Sequence, residues 1–215
     1  MARRRFGATR SERGAVVVEA ALVTPLLLVL LLGIMEMSML MRDVVSVSSS
    51  SRVGARMAST AAGSGPGTCK AGDPVCTPQK APKVAQMAAD AIQTAGSAMP
   101  KDSIDYILVY RSNSDGYPQP SGNKTLDVCS TDCVKYVWDD PTDKFQYAGG
   151  SWDSKSINAC LNDPGLMSVG VAIRAHHDWV TGFFGKGVDL SERTVMQFEP
   201  LDNASCKPGT ASPHP

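Results

Sequence analysis

From Ala15 to Met41 the chain is apolar except for Thr24, Ser38 and two carboxylates, Glu19 and Glu36, and the stretch from Ala20 to Met35 carries no charge. At about 1.5 Å per residue that charge-free stretch rises roughly 24 Å as a helix, and its apolar flanks extend it past the bilayer's hydrocarbon thickness of about 30 Å. The pattern predicts one membrane-crossing helix. Beyond it, Val44, Val45 and Val47 lead into Ser48-Ser49-Ser50-Ser51 and then Val53-Gly54-Ala55. Small residues let helices approach closely, so the helix is expected to continue as a stem. Ala61-Ala62-Gly63-Ser64-Gly65-Pro66-Gly67 is a breaker cluster and is expected to act as a hinge.

The periodicity then changes twice. Val84, Met87, Ala88, Ala91, Ile92 and Ala95 recur at helical spacing on one face, with Pro82 in the first turn and Gly96 as terminator. Strands are expected at Ile104–Tyr110, Cys133–Trp138, Lys144–Ala148, Leu166–Ala175 and Leu190–Phe198, with Val169, Val171 and Ile173 sharing a face. Ser154–Leu161 is expected to form a short helix, and Arg111–Gly122 a polar loop. A helix followed by short strands with hairpin-like connections predicts an α+β fold: a long N-terminal transmembrane helix followed by a small head with an antiparallel sheet.

Charge and cysteine placement orient this picture. The chain of 215 residues has zero formal net charge, so nothing electrostatic points to nucleic acid. Arg3, Arg4, Arg5, Arg10 and Arg13 precede the apolar run against a single acid, Glu12. Basic residues mark the cytoplasmic side, so the N-terminus is expected inside and the head outside. All six cysteines, Cys69, Cys76, Cys129, Cys133, Cys160 and Cys206, follow the apolar run. An even number on the outer side predicts disulfides. The expected pairing is local closure, Cys69–Cys76 and Cys129–Cys133, leaving Cys160–Cys206 to pin the tail; free, buried thiols are the alternative. Zinc is not expected, because no spacing is C-x-x-C.

A basic leader followed by an apolar run fits three readings. A secretory signal peptide has a shorter core and a small-residue cleavage site, whereas the exit Met35-Glu36-Met37-Ser38 offers none. A plain single-pass anchor leaves Glu19 unexplained, because a carboxylate inside a bilayer is costly unless paired. The third reading is a resemblance: Gly14 before Ala15, with Glu19 fifth from Ala15, is similar to the pattern of type IV prepilins and their relatives, which implies a cut after Gly14. That cut creates an α-amino group on Ala15 able to neutralise Glu19, fifth in the shortened chain, between neighbouring subunits.

The segment Arg13-Gly14-Ala15-Val16-Val17-Val18-Glu19-Ala20-Ala21-Leu22-Val23-Thr24-Pro25 resembles the TadE-like family of pseudopilins of the tight-adherence (Flp pilus) machinery. The likeness continues through Gly33-Ile34-Met35-Glu36 and through the element Arg52-Val53-Gly54-Ala55-Arg56, covering about the first 60 residues. Ala20 stands where the family usually has an aromatic. The resemblance implies a processing site at Gly14, Ala15 and Glu19 and a membrane helix containing Ala20, Pro25, Gly33 and Glu36; the helix-then-strands pattern of the head separately resembles the general plan of pilin heads. The TadE-like resemblance further implies a minor pseudopilin of a pilus assembly system in the bacterial cell membrane. Its partners would be other pilin and pseudopilin subunits, the pilus assembly machinery, a prepilin peptidase and membrane lipid, with no nucleic acid. The expected division is a basic cytoplasmic leader (1–14), a transmembrane stem (15–60), a linker and cysteine loop (61–80), an extracytoplasmic α+β domain (81–206) and a flexible tail (207–215). A single-pass anchored domain with an enzymatic or sensory role is the alternative.

Little else suggests chemistry. His176-His177-Asp178 is the one histidine cluster, but neighbours on a strand point to opposite faces, so a polar strand end before Trp179 is expected rather than a metal site. Trp179, Phe183 and Phe184, set among Gly182, Gly185 and Gly187, read as an apolar knot, either a partner-contact loop or core. Asp139, Asp140 and Asp143 read as a solvated acidic turn. No nucleophile elbow, P-loop, dinucleotide or zinc-protease fingerprint occurs, so neither catalysis nor a cofactor is expected.

Overall fold

The computed structural model describes residues 10–67, 81–95, 98–182, 185–202, 204–207 and 209–210. One helix, α1, runs unbroken from Arg10–Thr60, with Pro25 inside it. The apolar run and the serine-rich stretch are therefore one rod. Helix α2 spans Lys83–Thr94, entered through an extended Pro82. Five strands follow: β1 (Ile104–Arg111), β2 (Cys133–Asp139), β3 (Lys144–Ser151), β4 (Ser168–His177) and β5 (Val188–Gln197). They form a single antiparallel sheet in the order β3-β2-β1-β4-β5, so the fold is α+β.

Both helices pack on one face of this sheet. Alternation along the strands sorts the core: Ile107 and Val109 of β1 and Val169, Val171, Ile173 and Ala175 of β4 join the main cluster with Val47, Ala55, Ala58, Val84, Ala88 and Ile92. Leu108, Tyr110 and Ala172 point the other way, into a smaller cluster with Cys133. The middle of β4, from Val169 to Ile173, is buried on both faces for this reason.

Three local expectations need revision or completion. Ser154–Leu161 is not a helix; only a 3-10 turn forms at Ser154–Ser156. The backbone beyond it bonds instead to residues flanking β4 and β5: Leu201 N–H donates to Ala159 O and Met167 N–H to Asn158 O. Tertiary pairing there overrides local helix bonding. The breaker cluster does end α1, but it is pinned, since Gly67 N–H donates to Ala81 O and Lys83 N–H to Gly65 O. Cys129–Cys133 and Cys160–Cys206 are disulfide-bonded. Cys69, Cys76, Gly96, Phe183 and Phe184 lie outside the described residues.

Candidate functional site: the stem and its junction with the head

The stem divides into two lengths with different surroundings. Along Val16–Leu31 the side chains of α1 are exposed, Leu22 at 73% and Leu30 at 55%. Glu19 is exposed among them. The helix from Gly14 onward is long and apolar enough to cross a membrane, and none of its most apolar window is covered by the head. Ser38, a polar residue in this apolar setting, returns its hydroxyl to Ile34 O at 2.7 Å and so carries its own partner.

The second length is built into the head. Glu36, Asp43, Ser46, Val47, Ser50, Ser51, Gly54, Ala55, Ala58 and Ser59 are buried, a stripe recurring every three to four residues down one side of α1. Small residues dominate it because α2 and β4 come close. A Cβ on Gly54 would lie 2.7 Å from Ile92 Cδ1 and 3.2 Å from Val171 Cγ1. The element Arg52-Val53-Gly54-Ala55-Arg56 therefore splits: Gly54 and Ala55 face the head, and Arg52 and Arg56 face outward.

Polar contacts tie this stripe to the sheet. Ser51 Oγ lies 2.9 Å from Thr194 Oγ1 of β5. Met99 N–H donates to Ser46 Oγ, and Glu199 N–H to Ser59 O. Two carboxylates make the ends of the junction nearest the apolar length. Glu36 is only 1% exposed, and it accepts hydrogen bonds from the backbone N–H of Thr181 at 2.6 Å and of Val180 at 3.2 Å, in the loop after β4. Asp43, also buried, accepts from Nδ1 of His177 at 2.6 Å. The ring of His177 stands edge-on to Trp179, 5.1 Å between centroids, and its Nε2 has no hydrogen-bond partner among the described residues.

The histidine pair thus separates as strand alternation requires. His177 points to the helix side and meets the stem. His176 points to the other face, where Nδ1 lies 2.6 Å from Asp189 Oδ1 on β5. That hydrogen bond raises the His176 pKa above its ordinary value, and hydrogen bonds from His176 and Arg174 lower that of Asp189. A polar strand end describes His176; His177 is instead a buried link between head and stem. No signal local to residues 176–178 announces a partner at Asp43. The available clue was parity, because His177 shares its face with Val169, Val171 and Ile173.

Glycines mark the same division. A Cβ on Gly14 or Gly33 would meet nothing within 4 Å, unlike one on Gly54. Around Gly33, Val29, Leu30, Ile34, Met37 and Met41 make an open apolar face. A glycine inside a helix costs about 1 kcal/mol relative to alanine, and the fold of this chain gives no return for it at 14 or 33.

No curated protein and no solved structure matches the chain. Residues 14–56, which hold the whole apolar length and most of the buried stripe, match the family model described as TadE-like protein.

Proposed function

We propose that the chain is a minor pseudopilin of a tight-adherence pilus system, inserted with its basic leader in the cytoplasm and cut after Gly14 by a prepilin peptidase. TadE-like proteins are pilus-assembly components, and an N-terminal membrane-type helix of this kind fits a membrane-anchored one. The observation that carries the finer reading is the bare, apolar length of α1 with Glu19 as its carboxylate, exposed and five residues past Gly14. In lipid that carboxylate needs a counter-charge. The α-amino group released on Ala15 supplies one, from a neighbouring stem. Gly14 and Gly33, which this chain does not require for its own packing, serve a peptidase and a neighbouring helix respectively. The head then acts as a contact domain, not a catalyst.

Mass spectrometry of the protein from cells with an active prepilin peptidase should find Ala15 at the mature N-terminus. Gly14→Ala should leave the leader attached, and Glu19→Ala should insert normally but fail to enter pili. Recovery of wild-type chain with its arginines still in place would instead favour a simple anchor.

A further inference from the structure

Glu36 fixes the level at which the head meets the stem. Its carboxylate is held by the amides of Val180 and Thr181, so the loop after β4 lies beside residue 36 of α1. On one side of that level the head covers the stem, beginning with Asp43. On the other side, Ala15–Met35 rises about 30 Å, which matches the hydrocarbon thickness of a bilayer. A stem that spans lipid over this length leaves the loop at the lipid surface.

We propose that the loop at 178–182 rests on the bilayer on the head's side of the membrane, with Trp179 and Val180 at the boundary between headgroups and acyl chains. This rests on the reading of Ala15–Met35 as a membrane span. Val180 is a large apolar residue left 73% exposed, while its backbone is fixed by Glu36. Met37 and Met41, on the neighbouring stem, are 50% and 61% exposed, so apolar surface continues from the span to the level of the loop. Trp179 is half-buried against His177, which leaves part of its indole facing outward. Tryptophan favours this depth because its ring is apolar and its N–H is polar. Arg42 and Lys186 are exposed and near in sequence to the two halves of the junction; Lys186 suits anionic headgroups, Arg42 is paired with Asp43 at 3.3 Å, and Asp178, also exposed, opposes them. The loop thus sets the head's tilt by seating it on lipid, and Glu36 transmits that seat to the stem.

The test uses the full chain in phosphatidylcholine–phosphatidylglycerol vesicles carrying lipids brominated either near the carbonyl end or near the terminus of the acyl chain. Flotation in a density gradient is followed with tryptophan quenching, comparing the wild type with Trp179→Phe and Val180→Glu. Trp152, fully buried in the core, and Trp138 remain as references. The expected result is flotation of all three, with quenching by the shallow bromine that is lost in Trp179→Phe and weakened in Val180→Glu. Flotation with equal quenching in the wild type and Trp179→Phe overturns the loop's seat and leaves the span intact. Stronger quenching of Trp179 by the deep bromine overturns the boundary position. Failure of the wild type to float removes the span, and the seat with it.

Discussion

Gly54 shows how one side chain can decide whether head and stem fit. Its missing Cβ is the space taken by Ile92 and Val171. Gly54→Leu should push both out of place and cost about 1–3 kcal/mol through overpacking, read as a lowered melting temperature by circular dichroism in detergent. The same substitution at Gly33, where the surroundings are open, should not lower the melting temperature. Asp43 makes the complementary case. Asp43→Ala leaves the buried Nδ1 of His177 without its acceptor, a loss of about 1–3 kcal/mol. Asp43→Asn keeps an acceptor in reach and should recover most of that stability in urea unfolding. Equal losses for the two substitutions would mean that the hydrogen bond contributes nothing.

Strand alternation governs the element scale. β4 sends His177 to the stem and His176 to β5, where the register places it opposite Asp189. Because the folded pKa of His176 is raised, its contribution to stability is complete below about pH 6.5 and is lost as pH rises through the folded value. Because that of Asp189 is lowered, its contribution is complete above about pH 4 and is lost as pH falls through the folded value. Both act fully between those limits. Asp189→Asn should lower stability most within that window and flatten the dependence of melting temperature on pH above it. An unchanged profile would show that solvent screens the pair completely, since both groups are partly exposed.

For the whole molecule, α1 is at once a bare apolar rod, long enough to cross a membrane, and a piece of the head. Val47, Ala55, Ala58 and Ala61 belong to the same core as β1 and β4. A chain trimmed to begin at Glu36 should therefore keep its sheet by circular dichroism. One trimmed to begin at Ala61 should lose it, because the face of α2 and the sheet would be left without cover. Movement of the stem cannot then be independent of the head. Whatever seats the head, lipid or a neighbouring subunit, also sets the angle of the apolar length.

The linear order of residues was enough for everything that depends on near neighbours. The apolar run, the 3.6-residue stripe of α2 and the alternation of β4 are periodic in sequence, and these elements and the other four strands form close to their expected places. The Gly14–Glu19 and Arg52–Arg56 elements fall within the stretch matched by the TadE-like family model. Folding alone decided what depends on distant partners. Ser154–Leu161 has a composition that permits a helix, but its backbone bonds to Met167 and Leu201. Glu36 reads as one more carboxylate on a membrane helix until the amides of Val180 and Thr181, 144 and 145 residues away, close on it. Asp43 and His177 stand 134 residues apart and carry no mutual signal in the chain. A hydrogen bond across such a separation is set by how the sheet docks on the rod, and docking is a property of surfaces that exist only after both elements have formed.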